Sequence, residues 1–363
     1  MNGTIGRIVY DQAPTPKNPR NSEGAFITLR DGRLLFAYSH YIGESPADDA
    51  KCCIAAIYSM DQGESWSEPR ILIRPEDHGA INVMSVSLLR MQNDDIGLFY
   101  INRQHLNEAR LHMRRSSDDG ETWSDAICCV PNPGYYVTNN DRVVRLSCGR
   151  LIVPTALRKF QTEEHVKRNG LDARGTVFFF YSDDDGQSWH EANHAAMIPA
   201  PLSKSGLQEP LVVELNNGSL WSLSRTDMGR QYEIKSFDRG MSWSQPVPSQ
   251  FTSPQSPISM KRIPNNGHLL AIWNPIPNYQ TRSFDPFSAG RVPLVGAISR
   301  DEGVTWEKLF YCESEQAKGG YSYVTIHFLE DEVLLAYCAG EPGDGNNLSR
   351  LRIRKIKLNE VIG

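Results

Sequence analysis

Pairs of apolar runs separated by a short polar turn recur along the whole chain. The first pair, AFITL and LLFAYS, flanks a turn at residues 30–33, and five further pairs follow the same pattern. The six turns are centred near Gly32, Gly97, Gly149, Gly218, Gly267 and Glu332. Apolar runs of this length around an Asn, Asp or Gly turn are typical of β-hairpins. No apolar stripe with the 3.6-residue period of a helix is visible, so the pattern predicts an all-β chain.

A second pattern, Ser-x-Asp-x-Gly-x-x-Trp, follows five of the six hairpins. It covers residues 59–66, 116–123, 182–189, 236–243 and 299–306, at intervals of about 60 residues. The Asp can accept hydrogen bonds from N–H groups of its own turn. The Gly supplies a positive φ, and the Trp can fold back onto the strands. We interpret the repeat as a structural turn with an apolar anchor, not as a ligand site.

Each repeat provides a hairpin, a third strand that ends in the Asp-containing turn, and enough chain for a fourth strand. Four antiparallel strands repeated six times are typical of a β-propeller. The last repeat lacks the turn, and we expect the N-terminal strand TIGRIVY to lie beside it and close the ring. The predicted fold is a six-bladed β-propeller of four-stranded antiparallel blades, a single domain over residues 1–363.

Composition and charge argue against several classes of function. The net charge is −5, and no Lys/Arg-rich run indicates nucleic acid or a membrane surface as a partner. No apolar run approaches the roughly 18 residues of a membrane-spanning helix. The N-terminal residues lack the apolar core of a secretory signal. This predicts a cytoplasmic protein if residue 1 is the natural start, and a secreted one if the chain has been trimmed.

The seven cysteines are expected to be buried free thiols in a reducing compartment. Their number is odd, and adjacent pairs lie in apolar runs at residues 52–53 and 128–129. No Cys/His spacing typical of zinc is present. We expect neither a metal nor an organic cofactor.

The Asp-containing turn, the six hairpins and the length together resemble the sialidase superfamily, whose Asp-box (BNR) repeats lie on a six-bladed propeller. The resemblance covers essentially the whole chain, although the turn is specific for the fold and not for function. It implies a glycan substrate and a Tyr nucleophile with a Glu partner, an Asp acid/base and three Arg for a substrate carboxylate. A neutral phenol avoids the repulsion between a carboxylate nucleophile and an anionic sugar.

The resemblance assigns a Glu and two Arg to the fourth and fifth repeats. In LQEPLVVELNNGSLWSLSR, Glu209 corresponds to the Glu that activates the nucleophile, and Arg225 to the second Arg. Arg291 corresponds to the third Arg, with Arg282 as a weaker candidate. The structural alternative for Glu209 and Arg225 is an ion pair that caps the strands.

The nucleophile is expected on the last repeat, where GGYSYVTI resembles the nucleophile strand of the superfamily. Tyr321 is the predicted nucleophile. Tyr323 shares its strand face and could be a packing aromatic, and the alternative is that both tyrosines only line the cleft.

The superfamily's Asp acid/base lies between the first hairpin and the first Asp box, where this chain offers Asp48 and Asp49. Both are also compatible with a solvated loop. Polar residues at the starts of other first strands fit either a sugar-binding rim or strand-end caps. These residues are Asn82, Asn139, Asn140, Asp141, Arg142, Gln255 and Ser256.

The chain departs from the superfamily at the first carboxylate-binding Arg. The corresponding position is Ser22, with Glu23 beside it. Arg20 lies two residues earlier on the same strand face and could substitute if the loop is shifted. Otherwise a carboxylate lies near the expected position of the substrate's own, at a cost on the order of 1–4 kcal/mol.

Three hypotheses follow. The first is a retaining exo-glycosidase of sialidase type that removes a terminal acidic sugar. The second is a glycosidase of the same fold for another sugar, with Glu23 or Asp141 as a catalytic carboxylate; it requires Glu23 to point into the cleft within reach of Arg225 and Arg291. The third is a non-catalytic carbohydrate- or protein-binding propeller, in which Tyr321 and Glu209 lie out of hydrogen-bond reach. The sugar, the linkage and the oligomeric state stay open.

Overall fold

The computed structural model describes residues 3–199, 201–278 and 286–362. The chain is all-β, and each of the six predicted hairpins is present as an antiparallel pair of strands. In chain order the strands are β1 (Arg7–Gln12), β2 (Asn21–Thr28), β3 (Leu34–Tyr41), β4 (Cys52–Ser59), β5 (Arg70–Ile73), β6 (Asn82–Arg90), β7 (Ile96–His105), β8 (Glu108–Ser116), β9 (Ile127–Cys128), β10 (Tyr135–Val137), β11 (Val144–Arg145), β12 (Leu151–Arg158), β13 (Gly175–Ser182), β14 (His190–Glu191), β15 (Gln208–Glu214), β16 (Leu220–Arg225), β17 (Arg230–Ser236), β18 (Val247–Thr252), β19 (Ser259–Arg262), β20 (Leu269–Trp273), β21 (Leu294–Ser299), β22 (Glu307–Glu313), β23 (Gly320–Phe328), β24 (Glu332–Gly340) and β25 (Leu351–Lys357).

The strands form several four-stranded antiparallel sheets, as a β-propeller requires. Their orders are β2-β3-β4-β5, β15-β16-β17-β18, β19-β20-β21-β22 and β1-β25-β24-β23. Strands β6 to β14 make one nine-stranded sheet, in which β10 pairs antiparallel with β12 and parallel with β8. The N-terminal strand β1 pairs with β25 and so belongs to the sheet of the C-terminal strands.

Helices are short and few in the described part of the chain. They are α1 (Glu163–Asn169), α2 (Leu358–Ile362) and a 3-10 helix at Pro75–His78. None of these is long and apolar enough to cross a membrane. Helix α1 lies in the connection between β12 and β13, has no buried residue, and begins after Thr162, whose side chain accepts from His165 N.

The Asp-containing turns have the predicted geometry. In the second of them the Asp118 carboxylate accepts from Ser116 Oγ, at 2.7 Å, and from Thr122 N, at 2.9 Å. Gly120 has φ +90°, and its N–H donates to Ser116 Oγ at 2.7 Å. The other four turns repeat these bonds. These carboxylates accept hydrogen bonds from their own turns, which confirms the interpretation of the repeat as a structural turn.

The five Trp side chains of these turns pack into the apolar layers between sheets. Trp189 and Trp243 are buried, and each indole N–H donates to the Gly carbonyl of its own turn. Trp66, Trp123 and Trp306 are partly buried against neighbouring clusters. Each turn therefore fixes the outer end of its sheet to the core.

The cysteines follow the prediction only in part. All seven are free thiols and five are buried, but Cys128 is half-buried and Cys148 is exposed. Cys148 lies in the turn of the third hairpin, which explains its exposure. The expectation of uniformly buried thiols is wrong at this position.

The Asp-containing turns predict an acid-sensitive fold. Hydrogen bonds within the turns lower the pKa of Asp61, Asp118 and Asp301 to about 2, and in Asp184 they outweigh burial, again giving about 2. A carboxyl group whose pKa is lower in the folded than in the unfolded state stabilises the fold above its unfolded value. We expect the unfolding temperature to fall progressively between about pH 4 and about pH 2.

Circular dichroism during thermal unfolding measures this dependence. Asp118→Asn should unfold at a lower temperature at about pH 5 and show a flatter pH dependence, because one titrating turn is gone. The matched control is Asp125→Asn, an exposed residue just past the same turn. Equal stability of the unsubstituted protein at about pH 5 and about pH 2.5 would contradict the prediction.

Candidate active site

Four sheets carry the same backbone irregularity at the strand that begins them. Strands β2, β6, β15 and β23 each contain a β-bulge, because at one point two residues of the strand lie opposite a single residue of its partner. Each bulge holds one non-glycine residue in the left-handed region: Glu23 (φ 54°), Ser85 (φ 58°), Glu209 (φ 50°) and Tyr323 (φ 59°). All four residues line one cavity of about 70 Å³, here called the inner cavity.

Such conformations cost of order 1–3 kcal/mol each and persist only where the surrounding structure imposes them. A bulge also re-aims the side chain that it carries. The strain therefore marks the inner cavity as the candidate active site.

Tyr323, Glu209 and Arg225 form a hydrogen-bonded group in the inner cavity. Tyr323 Oη donates to Glu209 Oε1 at 3.1 Å. Arg225 Nη1 donates to Tyr323 Oη at 3.0 Å and lies 3.0 Å from Glu209 Oε2. All three side chains are buried. A phenol in contact with a carboxylate and a guanidinium has both a proton acceptor and a stabiliser for its oxygen.

Burial raises the pKa of Tyr323 to about 12, and Arg225 and Arg291 oppose this rise. The phenol is therefore neutral in the free protein at neutral pH. An attack by its oxygen requires a base at hydrogen-bond distance, which is the position of Glu209.

Tyr321, the predicted nucleophile, lies elsewhere. Its ring packs edge-on against Tyr337, at 6.3 Å between centroids, inside the apolar layer behind the sheet. The sequence reading assumed strict alternation along β23, which would place Tyr321 and Tyr323 on one face. The bulge after Ser322 breaks that alternation. The predicted pairing of Tyr321 with Glu209 is wrong, and Tyr323 makes the contact instead.

Arg225 is positioned as predicted but is fully engaged by protein atoms. Besides Tyr323 and Glu209, its Nε and Nη2 donate to Gln208 Oε1 at 3.0 and 2.7 Å. Gln208 in turn donates to the carbonyl of Ala173. Arg225 therefore stabilises the phenol and carboxylate and has little capacity left for a ligand.

Arg291 lies over the Tyr323 ring, with 5.2 Å between its guanidinium carbon and the ring centroid. Its Nη1 donates to Ser322 Oγ at 3.0 Å, whereas its buried Nε has no hydrogen-bond partner. Arg282, the weaker candidate, lies outside the described residues.

Arg20 does not replace the missing clamp residue, because it serves two carboxylates. Its buried guanidinium lies 2.9 Å from Glu23 Oε2 and 2.6 Å from Asp48 Oδ1. Its Nε donates to Ser22 Oγ at 3.0 Å, and the group packs 4.6 Å from the ring centroid of Tyr41. Glu23 nonetheless lines the inner cavity together with Arg225, as the second hypothesis requires, whereas Arg291 does not line it.

The pKa values of Glu23 and Asp48, the two carboxyl groups that pair with Arg20, are shifted in opposite directions. Burial raises the pKa of Glu23, although Arg20 and the hydrogen bond from Ser22 act against it. Its position in the cleft also acts to raise the pKa of Asp48, but only weakly because the side chain is 62% exposed, and the charge and hydrogen bond of Arg20 bring the value to about 2. Asp48 is therefore ionised at neutral pH and is a poor proton donor, which argues against its predicted role.

The loop that carries Asp48 and Asp49 is held by its neighbours. Asn82 is buried, and its amide donates to the carbonyls of Asp48 and Ala50 at 2.7 and 3.1 Å. Asn82 thus positions this loop and is not a rim residue. Asp49 is exposed at a second cavity of about 490 Å³, here called the outer cavity.

Three further predicted rim residues, Asn140, Asp141 and Arg142, are structural. The Asn140 amide donates to Gly24 O, Tyr323 O and Thr325 Oγ1, at 3.0, 3.2 and 2.8 Å, and joins three sheets. Asp141 pairs with Lys261 at 2.7 Å, and Arg142 Nη2 donates to a backbone carbonyl at 2.9 Å. None of the three lines the inner or outer cavity, so the structure gives no support there for their assignment to substrate binding.

Three residues of the cleft were missed from the sequence. Tyr135 lies between Arg103 and Arg158, whose guanidinium carbons are 5.0 and 5.2 Å from its ring centroid. All three line both cavities, as does Asp48. Arg103 and Arg158 each end a hairpin strand on its polar side, a signal that the sequence contained but that many surface arginines share. Among the described residues, no group of three or more His, Cys, Asp or Glu is placed to hold a metal ion.

Comparisons with known proteins agree with the fold. The family model described as a BNR repeat-like domain matches residues 48–334. An anhydrosialidase of Macrobdella decora is 26% identical over 278 residues, which cover 70% of this chain and 33% of the relative. A sialidase of Bacteroides fragilis is 28% identical over 268 residues, covering 70% of this chain and 42% of the relative. The chain therefore spans less than half the length of these two curated relatives.

Among solved structures, the leech intramolecular trans-sialidase in complex with 2,7-anhydro-Neu5Ac superposes with a TM-score of 0.72. The identity is 17%, and the match covers 99% of this chain and 71% of that one. At this identity the likeness concerns the fold alone.

Substitution by glycine at a left-handed bulge residue should stabilise the protein, whereas glycine elsewhere in a strand should destabilise it. Ser85→Gly removes the side chain from a left-handed residue, and the Ser85 N–H can still donate to Ser39 Oγ. We expect the free energy of unfolding to rise by about 1 kcal/mol. Urea denaturation measures the change.

Ser87→Gly is the matched control on the same strand. Ser87 is not left-handed, and its Oγ accepts from Arg142 N at 2.9 Å, so this change should destabilise by about 1–3 kcal/mol. Equal destabilisation by both substitutions would show that the bulge is not strained.

Proposed function

The chain belongs to the family of BNR repeat-like domains, and on that premise we propose that it is a sialidase-like glycoside hydrolase. It removes a terminal acidic sugar with retention of configuration. The observation that carries the proposal is the buried contact between Tyr323 Oη and Glu209 Oε1. This contact takes the place of the predicted contact between Tyr321 and Glu209. It also argues against a non-catalytic propeller, which has no need of a buried phenol–carboxylate pair.

In the first step Tyr323 Oη forms a bond to the anomeric carbon while the bond from that carbon to the leaving oxygen breaks. The phenolic proton passes to Glu209 Oε1, and the leaving oxygen takes a proton from an acid. Water then attacks the anomeric carbon and returns its proton to that acid. Tyr323 leaves and recovers its proton from Glu209, so configuration is retained after two displacements.

We assign the acid role to Glu23 in preference to Asp48 or Asp49. Glu23 lines the same inner cavity as Tyr323 and Glu209, and its pKa is raised by burial. A raised pKa keeps a carboxyl group protonated closer to neutral pH, as a general acid requires. Asp48 would serve Arg20 as a permanent counterion. The exposed Asp49, at the outer cavity, is the remaining alternative.

We further infer that the sheets form a single six-bladed ring over residues 1–363. Strands β6–β9 and β11–β14 would be two blades joined by β10. The pairing of β1 with β25, and the bond from Thr325 Oγ1 in β23 to Gly24 O in β2, support closure between the last and first blades.

The sugar need not be sialic acid. Arg20 is occupied by Glu23 and Asp48, and Arg225 is occupied by Gln208, Tyr323 and Glu209. Two of the three arginines of the expected carboxylate clamp are therefore committed. The sialidase names of the relatives are compatible with sialic acid, but a related ulosonic or uronic acid fits the site equally.

Tyr323→Phe should abolish turnover, because the substitution removes the attacking oxygen and leaves the ring in place. We expect kcat/KM to fall at least about 10³-fold. The measurement is release of methylumbelliferone from glycosides of sialic, ulosonic and uronic acids.

Tyr321→Phe is the control, since the same atom is removed two residues away on the same strand. Its activity should stay within about threefold of the unsubstituted protein. If Tyr321→Phe were inactive and Tyr323→Phe active, the assignment of the nucleophile would be reversed.

Glu23→Gln should discriminate between leaving groups, because an acid matters most when the leaving oxygen is basic. We expect kcat on an unactivated disaccharide to fall about 10²–10⁴-fold, and on the methylumbelliferyl glycoside less than about tenfold. Asp48→Asn and Asp49→Asn should affect both substrates alike. The discriminating pattern in either Asp variant, and not in Glu23→Gln, would move the acid to that residue.

A further inference from the structure

The carboxylates of the inner cavity are all neutralised by two arginines. Glu23 and Asp48 pair with Arg20, and Glu209 pairs with Arg225. Arg103 and Arg158 line the same cavity, but neither lies within ion-pair distance of a carboxylate among the described residues. The lining of this cavity therefore includes two cations that form no ion pair within the described residues.

Arg158 is the less constrained of the two. It is the last residue of β12, and its side chain makes no hydrogen bond or ion pair to any residue in the described ranges. Its guanidinium carbon lies 5.2 Å from the centroid of the Tyr135 ring. Burial lowers the pKa of Arg158, and the charges of Asp48, Arg225, Glu209 and Tyr323 also act on it. A half-buried guanidinium next to the reactive pair thus has most of its donors available to a ligand.

Arg103 supports Arg158 from the neighbouring hairpin. Its Nη1 donates to the carbonyl of Asp48, and its buried Nε has no hydrogen-bond partner. Its guanidinium carbon lies 5.0 Å from the Tyr135 ring centroid, so that ring spaces the two cations. Burial lowers the pKa of Arg103, and the charge of Arg158 lowers it further, so a bound anion would relieve this repulsion.

Arg103, Arg158 and Tyr135 stand where the inner cavity meets the outer one. The outer cavity, about 490 Å³, is large enough for a sugar residue and has apolar side chains from Ile81, Leu106 and Leu171 on its walls. Arg291, which lies over the Tyr323 ring, lines neither cavity. A ligand that enters from outside therefore reaches Arg158 before it reaches Tyr323.

We propose that Arg158, assisted by Arg103, binds the anionic group of the substrate at the junction of the two cavities and selects acidic over neutral sugars. The anion clamp would then lie on β7 and β12 and not on the strands of Arg20 and Arg225. This inference rests on the proposed glycosidase function, because it takes the anion to be part of a glycoside substrate. Anion binding itself does not depend on turnover.

Binding to a Tyr323→Phe protein separates the two questions, because no hydrolysis interferes. The probes are N-acetylneuraminic, glucuronic and galacturonic acids, with glucose and galactose as neutral counterparts, measured by isothermal titration calorimetry at low and high salt. We expect at least one acid to bind more tightly than its neutral counterpart. Adding Arg158→Gln should weaken that acid at least about tenfold, while Arg158→Lys should retain part of the affinity.

Arg150→Gln is the matched control. Arg150 precedes the same strand and stacks on Tyr181 at 4.2 Å, but it lies at the opposite end of β12 and pairs with Asp183 at 2.7 Å. It should leave acid binding unchanged. Unfolding temperatures of both variants check that each is folded.

Acid binding that Arg158→Gln does not weaken, or no preference for any acid over its neutral counterpart, would overturn the inference. Acid binding that depends on Arg158 in a protein that hydrolyses none of the glycosides would support the anion site and refute the glycosidase. Turnover of acidic glycosides with an unchanged KM in the Arg158→Gln protein would support the glycosidase and refute the anion site.

Discussion

The left-handed residue inside each cleft-lining bulge is the constraint on which the site depends. Glu23, Glu209 and Tyr323 face one cavity because the backbone beneath each is forced out of the strand conformation. In a regular strand, successive side chains point to opposite faces. Without the bulges, neighbouring residues would therefore face the cavity instead of these three. The regular strand pairing on either side of each bulge maintains the strained conformation. The rigid sheets therefore fix the positions of the three reactive groups.

Much of the fold follows from the sequence, because the Asp-containing turns and hairpins are local devices. Asp118, Ser116 and Gly120 satisfy one another within a few residues, and no distant contact is needed to predict the turn. The choice between Tyr321 and Tyr323 is not local in this sense. It depends on one extra residue in β23 relative to β24, and the sequence shows no sign of that insertion.

The polar residues of the third repeat show a second limit. Asn140 and Arg142 have the composition of a sugar-binding rim, yet they donate to backbone carbonyls of other sheets. A polar side chain at a strand start serves a ligand or the protein according to what lies opposite it. Glu209 and Arg225 were predicted because a family pattern supplied that information. Arg158 has no such pattern. It differs from an ordinary surface arginine because it lines both cavities, and its side chain has no hydrogen-bond or ion-pair partner in the described part of the chain.

Arg20 has a consequence for how the cleft responds to protons. One guanidinium holds Glu23 at 2.9 Å and Asp48 at 2.6 Å, so each acid experiences a field set by the protonation of the other. Two groups that share a counterion in this way titrate as a unit, with macroscopic constants that belong to the pair. A proton added to one acid leaves more of the charge of Arg20 to the other. The cleft can therefore hold one acid protonated and its neighbour ionised without any movement of the backbone.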